Sequence, residues 1–363
     1  MVFVGTYTEP IRFGTGKILE GKGKGIYTFR LDPSSGAMEL CNLAEGVQNP
    51  SYLALDPARR FLYAVNELKE FEGAPTGAIS AFAVDPDSGA LVFLNIKPTH
   101  GTDPCHLTVH KTGRYVLVAN FTSGSVCVLP IREDGSLGDA TDVVQHQGSS
   151  VDPVRQAGPH AHAVTFDDAG WYALVPDLGL DRVMVYRFDA SRGKLEPNDE
   201  PWVKTAAGAG PRQLVMHPGG GYVYLINELD STMTAFRFDS DGGTLRELQT
   251  LSTLPEGFEG ASTCAAVQIS PSGRFLYGSN RGHDSITIHA IDQMDGTLAC
   301  IGYESTQGQN PRSFAVGPDG EFLLAANQDS DAMVVFRRDH GSGELVATGH
   351  RVEVPAPVCV KFL

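Results

Sequence analysis

The sequence predicts an all-β fold, a seven-bladed β-propeller built from four-stranded antiparallel blades. Three observations support this prediction. A strand-rich unit recurs about every 50 residues, Gly and Pro are spread along the whole chain, and each end of the chain carries part of one further unit. The 363 residues include 41 Gly and 22 Pro, as expected for many short strands joined by turns. We therefore expect residues 1–363 to form one propeller domain.

The repeat is visible in six segments, each with a short apolar run, a polar turn and a second apolar run ending in Asn or Asp. They are NPSYLALDPARRFLYAVNE, DPCHLTVHKTGRYVLVANF, GPHAHAVTFDDAGWYALVPDL, GPRQLVMHPGGGYVYLINE, TCAAVQISPSGRFLYGSNR and NPRSFAVGPDGEFLLAANQ. The final residues of the second runs are Asn66, Asn120, Asp177, Asn227, Asn280 and Asn327. Gly stands seven positions before five of them, and Arg59 takes this place in the first segment. This pattern predicts the two inner strands of each blade.

The two outer strands of each blade follow the inner pair. Alternating runs such as GAISAFAVD, RVMVYRFD, TMTAFRFD and SITIHAID are followed by turns such as DSGAL or DGGTL and a weaker run. Period-two alternation with Gly/Asp turns predicts antiparallel strands.

The seventh blade is expected to be shared between the two ends of the chain. MVFVGTYTEP resembles a second strand, GIYTFRLDPSSGAMEL a third and fourth strand, and APVCVKFL a first strand. Pairing the two ends would close the ring and leave no free sheet edge.

Composition excludes several classes of partner. The net charge of −15 argues against nucleic acid, although a few arginines could still hold a small anion. No stretch approaches the ~18 apolar residues of a membrane span. The start of the chain lacks an export signal, and the six scattered cysteines lack a CxxC pair, so we expect a cytoplasmic protein with reduced thiols. The expected partner is a small molecule, without nucleic acid or membrane.

Strand order sorts the loops into two faces. Residues before each first strand and after each Asn/Asp lie on one face, here called the upper face, and the turns within the inner pairs lie on the lower face. His110 and His217 are therefore expected to be exposed residues of lower turns. Residues at the upper ends of the inner strands should converge on the mouth of the central channel, and several polar residues meeting there favour a ligand site.

Four residues at the mouth are not required by the blade pattern: His162, Arg212, Glu228 and Arg281. We predict that these are catalytic. The predicted substrate-binding residues around them are His106, His160, Asp177, Gln213, Asn227, Asn280, Arg312, Gln328 and Glu67. The repeated Asn/Asp residues also have a structural interpretation, because Asn and Asp commonly bond backbone groups in turns.

The segment GPHAHAVTF places His160 and His162 one residue apart, on the same side if the segment is a strand. A catalytic zinc usually has three protein ligands, and a third His or Cys is not placed with them. We therefore expect neither a metal nor another cofactor. The alternative is a hard divalent cation on Glu67, Asn120 and Asp177.

Taken together, these segments resemble the seven-bladed lactonase family, typified by bacterial propeller-type 6-phosphogluconolactonase and including fungal carboxymuconate cyclase. The resemblance rests on GTYT with GIYTF, GPHAHAVTF with DLGLDRV, GPRQLVMHP with YLINEL, GSNRGHDSI and NPRSFAVGPDG. It implies a lactonase of carbohydrate metabolism. The family's active-site His, Arg, Glu and Arg fall on His162, Arg212, Glu228 and Arg281.

Lactone hydrolysis needs an activated water, a stabilised oxyanion and a proton for the ring oxygen. We expect His162 to act as the general base, Glu228 to orient it or share proton transfer, and Arg212 and Arg281 to bind the anion or the oxyanion. The other interpretations are a metal-dependent lactonase, a lactonising cycloisomerase of the carboxymuconate type and a non-enzymatic scaffold that binds proteins.

Two departures from the family pattern concern the substrate. Gln213 stands where the bacterial pattern commonly has His, and the insertion IRFGTGKILEGKGK occupies residues 11–24. Both are expected on the upper face. We interpret the insertion as a lid, with Ile11, Phe13, Ile18 and Leu19 as apolar anchors. The alternatives are a surface excursion without function and an oligomer contact.

Overall fold

The protein is described by a computed structural model that covers residues 1–12 and 16–363. Within these residues the strands form seven four-stranded antiparallel sheets and one two-stranded hairpin. A single turn of 3₁₀ helix at Gln328–Ser330 is the one helical element of this part of the chain, and no helix in it is suited to crossing a bilayer. The predicted seven-bladed propeller is confirmed.

The chain begins in blade seven and then builds blades one to three. Blade seven supplies β1 (Val2–Thr6), the hairpin of β2 (Ile11–Arg12) and β3 (Ile18–Leu19), β4 (Gly25–Leu31) and β5 (Met38–Glu45). Blade one is β6 (Leu53–Leu55), β7 (Phe61–Asn66), β8 (Ala78–Val84) and β9 (Leu91–Pro98). Blade two is β10 (Pro104–Val109), β11 (Tyr115–Asn120), β12 (Ser125–Pro130) and β13 (Asp142–Gln145). Blade three is β14 (Thr165–Phe166), β15 (Tyr172–Asp177), β16 (Arg182–Asp189) and β17 (Lys194–Lys204).

Three complete blades and the last strand of the ring follow. Blade four is β18 (Pro211–Met216), β19 (Tyr222–Asn227), β20 (Thr232–Asp239) and β21 (Thr244–Ser252). Blade five is β22 (Thr263–Ile269), β23 (Phe275–Arg281), β24 (Ser285–Ile291) and β25 (Leu298–Ser305). Blade six is β26 (Pro311–Val316), β27 (Phe322–Asn327), β28 (Ala332–Arg338) and β29 (Leu345–Glu353), and β30 (Pro357–Phe362) completes blade seven.

The two ends of the chain close the ring as predicted. β30 pairs antiparallel with β1, with Val4 opposite Val360, and the sheet order is β30-β1-β4-β5. The amide of Leu363 donates to the carbonyl of Met1 at 3.0 Å, so the first and last residues are direct neighbours. The innermost strand of blade seven is therefore supplied by the end of the chain, and this blade has no unpaired inner edge.

The core lies between neighbouring blades rather than within any one sheet. Tyr63 and Val65 of blade one pack with Leu107, Val116 and Val118 of blade two in a single buried cluster, and comparable clusters join other blades. Side chains on both faces of an inner strand are therefore buried, which explains why the inner strands are almost continuously apolar.

An aromatic residue resting on a glycine recurs at the junctions between blades. Gly135, in the outer turn of blade two, has a positive φ of 84°, and a Cβ there would lie 2.2 Å from Cδ1 of Phe61 in blade one. Only glycine permits this approach. The same contact recurs at five further junctions: Tyr115 on Gly193, Tyr172 on Gly243, Tyr222 on Gly296, Phe275 on Gly343 and Phe322 on Gly36.

The lower turns differ from the prediction that their histidines are exposed. His110 is only 3% exposed; its Nε2 lies 3.1 Å from the Gly170 carbonyl, in the next blade. His217 is half-buried and makes the equivalent contact with the Gly273 carbonyl at 3.0 Å. The prediction was wrong because glycine at this turn leaves room for an imidazole from the preceding blade. Arg59, which replaces that glycine in blade one, still has a positive φ of 56°.

The closure of blade seven predicts the effect of removing its last strand. Deletion of residues 356–363 should abolish cooperative thermal unfolding, because it exposes the inner edge of β1 and opens the ring. The measurement is a thermal melt followed by circular dichroism, together with the soluble yield.

A circular permutant is the matched control for this deletion. It joins Leu363 to Met1 through a short linker and opens the chain at Met294, an 88% exposed turn residue. The permutant keeps every strand pair, so it should melt cooperatively. A deletion variant that melts like the parent would contradict the role of β30.

Candidate active site

The upper ends of the inner strands surround two connected spaces. The upper cavity has a volume of about 190 Å³ and opens on the upper face. Beneath it an axial channel of about 30 Å³ runs between the innermost strands, with room for a few water molecules at most. Glu67, Cys105, His162 and Arg312 line both spaces and form the boundary between them.

The structure brings eight of the thirteen predicted site residues to these two spaces. The upper cavity is lined by His162, Glu228, Arg281, Arg312 and Glu67. The axial channel is lined by Arg212, Gln213 and His106, together with the residues that the two spaces share. The other five predicted residues line neither space: His160, Asp177, Asn227, Asn280 and Gln328.

Glu228 is the centre of a buried ion cluster. Its backbone amide donates to the Gly210 carbonyl at 2.7 Å, which fixes the turn after β19. Its carboxylate contacts Arg155 Nη2 at 2.6 Å, Arg212 Nε at 2.8 Å and Arg281 Nη2 at 2.9 Å. Burial by itself would raise the pKa of Glu228, but the three guanidinium groups lower this pKa well below its usual range. Glu228 is therefore ionised and cannot act as a proton donor at neutral pH.

The guanidinium groups are held by carbonyl oxygens as well as by Glu228. Arg212 Nη1 donates to the Ala265 carbonyl, and Arg281 Nη2 donates to the Cys264 carbonyl at 2.6 Å. Burial lowers the pKa of Arg212 to about 10, and it lowers the pKa of Arg281 as well. Both side chains remain cationic at neutral pH. Three guanidinium groups around one carboxylate make this side of the cavity electropositive, although the whole chain is acidic.

His162 lies against this cluster as a neutral imidazole. Its Nε2 is 3.9 Å from Glu228 Oε2, its Nδ1 is 3.7 Å from Cys105 Sγ, and the edge of the Phe121 ring packs on it. Burial lowers the pKa of His162 well below its usual range, and the charge of Arg212 lowers this pKa further. An unprotonated imidazole that faces a cavity is a competent acceptor for a proton from water.

His160 occupies a different position from His162. Residues 160–162 precede β14 and make only one isolated bridge, between Ala161 and Asp177, so the same-side rule for strands does not apply to them. The ring of His160 stacks on Phe121 at 4.6 Å between centroids, and its Nδ1 is 3.0 Å from the Phe121 carbonyl. Phe121 lines the upper cavity. His160 therefore supports the wall of the cavity and does not face it.

A second carboxylate, Glu67, lies in surroundings unlike those of Glu228. Glu67 accepts a hydrogen bond from the Tyr7 hydroxyl at 2.9 Å, and the Arg312 guanidinium lies 5.5 Å from the centre of the Tyr7 ring. Burial raises the pKa of Glu67, the charge of Arg312 opposes this effect and the charge of Asp103 adds to it. The pKa of Glu67 is thus raised, whereas the pKa of Glu228 is lowered.

The repeated Asn/Asp residues have a structural role in place of the predicted contact with substrate. Asn280 donates to the Thr253 carbonyl at 2.8 Å, and Asn227 donates to Thr232 and Thr234 at 2.9 and 3.1 Å. Gln328 is buried with its amide on Asp329. The amide nitrogens of these side chains thus bond neighbouring parts of the blades, and none of the three residues lines either space.

The carboxylate of Asp177 is likewise engaged by protein groups, which argues against its use as a metal ligand. Its carboxylate contacts His146 Nδ1 at 2.6 Å and accepts hydrogen bonds from the amides of His160 and Gly179. Asn120, a second residue of the proposed cation site, donates its Nδ2 to the Thr99 carbonyl, and its Oδ1 is buried without a hydrogen-bond partner among the described residues. Neither Asn120 nor Asp177 lines the cavity, whereas Glu67 does. In the part of the chain that the structure describes, three or more His, Cys, Asp or Glu side chains do not gather in a metal-binding arrangement.

Gln213 faces the axial channel, below the cavity. Its Nε2 donates to the Tyr52 hydroxyl at 3.0 Å, and the Tyr52 ring packs against His106 at 4.1 Å between centroids. The expectation that this departure from the family pattern touches the upper face was therefore wrong. Both Arg212 and Gln213 belong to β18, the first strand of blade four, which runs down the wall of the axial channel. Gln213 therefore lies below the cavity.

The insertion reaches the upper cavity, as expected. Arg12 and Lys17 line it, Lys17 pairs with Asp329 at 2.9 Å, and Lys22 pairs with Asp331 at 2.7 Å. The hairpin of β2 and β3 therefore extends from blade seven to the loop after β27.

The apolar anchors of the insertion are only partly as predicted. Ile11 is 5% exposed and packs with Tyr7, Ala356 and Val358, with Leu19 against this cluster. Ile18 is 48% exposed and is not an anchor. Phe13 lies outside the described residues.

Arg155 lines the upper cavity and contacts Glu228, and the sequence analysis missed it. It belongs to the long segment between β13 and β14, which has no counterpart in the repeat, so alignment of the blades gave it no position. The order of the strands does place residues before a first strand on the upper face. That signal could have identified Arg155 as a candidate, but it could not show that the side chain reaches Glu228.

Comparison with known proteins supplies independent evidence. Residues 1–362 match the family model described as "Lactonase, 7-bladed beta-propeller". The 6-phosphogluconolactonase of Bacillus subtilis (strain 168) is 36% identical over 361 residues, which is 99% of this chain and 97% of the relative. The 6-phosphogluconolactonase of Formosa agariphila is 33% identical over 87% of this chain and 86% of the relative.

Solved structures agree with this match. The periplasmic gluconolactonase of Pseudomonas aeruginosa superposes with a TM-score of 0.91 at 37% identity, covering 100% of this chain and 98% of its own. The expected cytoplasmic location of the present chain stays a prediction.

The ion cluster predicts that Glu228→Gln is strongly destabilising. Three buried guanidinium groups would lose their shared counter-charge, and breaking a buried pair in this way costs about 3–5 kcal/mol. The pKa of Glu228 is lowered in the folded protein, so its contribution is present above the unfolded value, ~4.3, and is lost as pH falls through the folded value. The difference from wild type should therefore shrink in acid.

The measurement is urea unfolding at pH 7 and at pH 4. Glu200→Gln is the matched control, because it removes an exposed ion pair with Arg246 and should change little. An unchanged free energy of unfolding in Glu228→Gln at pH 7 would show that the cluster is not held by this carboxylate.

Proposed function

Because this chain belongs to the seven-bladed β-propeller lactonase family and is a lactone-hydrolysing enzyme, we propose that it hydrolyses an anionic sugar-acid lactone in the upper cavity, with His162 as the general base. The observation that carries the proposal is the pairing of a neutral imidazole with an electropositive cluster at one wall of a cavity. A lactonase needs both: a proton acceptor for water and positive charge where the carbonyl oxygen becomes anionic.

In the proposed reaction, His162 takes a proton from a water molecule as that water attacks the lactone carbonyl. The imidazolium that forms lies near Glu228, whose Oε2 is 3.9 Å from His162 Nε2 and carries negative charge. Glu228 thus stabilises the protonated base, while proton transfer by Glu228 itself does not fit its ionised state. General-base assistance of this kind contributes about 10²–10⁴ in rate.

Arg281 is the best-placed donor for the oxyanion. It lines the upper cavity, and its Nε is buried without a hydrogen-bond partner among the described residues. An unsatisfied buried donor is costly unless a ligand or a transition state uses it. Arg212 lines the axial channel and reaches the cavity only through Glu228, so we assign it the role of holding that carboxylate.

The charge of the cavity wall supports an anionic substrate, with a phosphorylated lactone as the first choice. More cationic than acidic side chains line the cavity. The five cationic residues are Arg12, Lys17, Arg155, Arg281 and Arg312, and the three acidic residues are Glu67, Asp103 and Glu228. The relatives compared above include both 6-phosphogluconolactonases and a gluconolactonase. A phosphate or carboxylate on the sugar would satisfy the excess positive charge.

The test of this function is hydrolysis of a panel of phosphorylated and neutral aldonolactones, followed by a pH indicator. We expect turnover, with the highest kcat/KM on a phosphorylated lactone. His162→Ala should lower kcat by about 10²–10⁴ while leaving the fold intact, because the residue lies at a cavity wall. His350→Ala, on the outer strand β29, is the control and should behave like wild type.

Two further measurements separate the alternatives. Chelation with EDTA should leave turnover unchanged if His162 acts as a base, whereas loss restored by one divalent ion would favour a metal-dependent lactonase. The pKa of His162 is lowered, so the acid limb of kcat/KM should lie below the ordinary histidine range, ~6.5. Normal kcat/KM in His162→Ala would refute the general-base role.

The hairpin should affect the binding of charged substrates. Removing the two cations that it brings to the cavity, in the double variant R12A/K17A, should raise KM severalfold for a phosphorylated lactone with little change in kcat. The effect should weaken at high salt, because exposed charges are screened. Lys24→Ala is the control, since Lys24 is exposed and does not line the cavity. Equal KM values for parent and double variant would show that the hairpin is not a substrate-binding lid.

A further inference from the structure

Two of the three acidic residues that line the upper cavity, Glu67 and Glu228, occupy the same position in the repeat. Glu67 and Glu228 each come directly after the last residue of a second strand, Asn66 in blade one and Asn227 in blade four. Blades one and four are three places apart in a ring of seven, so they are almost opposite each other across the mouth. Both side chains line the upper cavity. The fold therefore presents one carboxyl group from each side of a bound substrate.

Their partners differ in kind. Glu228 is contacted by three guanidinium groups within 2.9 Å. Glu67 accepts a hydrogen bond from a neutral phenol, the Tyr7 hydroxyl at 2.9 Å, and the charge of Arg312 also acts on it. Two carboxyl groups with surroundings this different can take different roles in one site: Glu228 stays ionised beside the base, and Glu67 is the candidate acid.

We propose that Glu67 is the catalytic acid, the group that protonates the ring oxygen of the lactone as it leaves. This assignment rests on the proposed function, lactone hydrolysis in the upper cavity, and adds the proton source that the reaction needs. It follows from the location of Glu67 across the mouth from Glu228. It also follows from its position at the cavity floor, which Glu67 forms together with His162, Arg312 and Cys105.

The proposed step balances as follows. Water adds its oxygen to the carbonyl carbon and loses one proton to His162, which gives a tetrahedral oxyanion beside Arg281. The oxyanion collapses, the bond from the carbonyl carbon to the ring oxygen breaks, and its electron pair goes to the ring oxygen. That oxygen takes the proton of the Glu67 carboxyl group. The product is a hydroxy acid, and solvent then returns a proton to Glu67 and removes one from His162.

Other groups in the cavity are less suited to this transfer. Glu228 is ionised, and His162 receives the proton of the attacking water. Tyr7 is fully buried behind Glu67 and does not line the cavity. Asp103 is the one serious competitor, since it lines the cavity and burial raises its pKa, while Lys69 opposes this effect as Arg312 does for Glu67. Glu67 is preferred because it lies at the cavity floor with His162, whereas Asp103 lines only the upper cavity.

The groups that face Glu67 determine how its ionisation responds to substitution. Burial raises the pKa of Glu67, the Arg312 charge and the Ser51 and Tyr7 hydroxyls lower it, and the Asp103 charge raises it. Cys105, also at the cavity floor, is a neutral thiol because burial raises its pKa. Tyr7→Phe should therefore move the pKa of Glu67 up, and Asp103→Asn should move it down.

The decisive experiment compares a lactone with its thiolactone, in which sulfur replaces the ring oxygen. A thiolate leaves without needing a proton, whereas an alkoxide needs one. Glu67→Gln should lose about 10²–10⁴ in kcat on the lactone and stay close to wild type on the thiolactone. Glu70→Gln, an exposed glutamate in the same loop, is the matched control.

The pH profile supplies a second measurement that a structural role would not alter. Wild-type kcat/KM should fall on the alkaline side as Glu67 loses its proton. That limb should be absent in Glu67→Gln, shifted to higher pH in Tyr7→Phe and shifted to lower pH in Asp103→Asn.

Several results would overturn the assignment. Equal losses on lactone and thiolactone would make Glu67 a binding or structural residue, and full lactone activity in Glu67→Gln would exclude it as the acid. Loss of lactone turnover confined to Asp103→Asn would transfer the role to Asp103. Inactivity of the wild type on every lactone would instead refute the proposed function, and the catalytic assignment with it.

Discussion

The antiparallel pairing of β30 with β1 is the constraint on which the rest of the structure depends. Each blade buries its faces only against its neighbours, so a ring that stays open would leave two sheets half-covered and one inner edge unpaired. Closure also sets the geometry of the site. Once the ring is shut, the upper ends of all the inner strands point to one mouth, and residues as far apart in sequence as Tyr7, Glu67 and Arg312 come into contact. At six blade junctions an aromatic side chain packs closely on a glycine, and this contact holds the neighbouring blades at a short distance from each other.

Within that ring, the ionised carboxylate of Glu228 organises one half of the cavity. Three guanidinium groups placed together without a counter-charge would repel one another. The Glu228 carboxylate offsets this repulsion, because one nitrogen of each group lies 2.6–2.9 Å from a carboxylate oxygen. Burial and the charge of Arg212 keep His162 unprotonated, and Glu228 places a negative group near it. In the reaction that we propose, the cluster would therefore support both the base and the anion-binding surface, so loss of Glu228 would alter both.

Much of the fold could be predicted from the sequence, because a propeller repeats its pattern. The six aligned segments fixed the inner strands, and the incomplete units at the ends required the split blade. The lower-turn histidines show the limit of this reasoning: their burial depends on a glycine in the next blade, and a pattern within one repeat contains no information about its neighbour.

The site, too, could be predicted only in part. His162, Glu228 and Arg281 departed from the repeat and do line the cavity, whereas Arg155 lies in a segment outside it. The Asn/Asp residues were assigned to substrate because the pattern gives their location but not the hydrogen bonds that already occupy them.

A repeat that is chemically uniform could not supply both a permanently ionised carboxylate and the acid that we propose, since equivalent positions would have equivalent surroundings. Here the position after the second strand carries Glu in blades one and four, and the blades next to them decide what each Glu can do. Blade five and the segment before blade three bring arginines to Glu228. Blade seven brings a phenol to Glu67, through a strand, β1, that is paired with the end of the chain. The two carboxyl groups therefore differ because three guanidinium groups contact Glu228, whereas burial dominates at Glu67. The closure that stabilises the fold also places Tyr7 against Glu67, where its hydrogen bond moderates the effect of burial on the pKa of that carboxyl group.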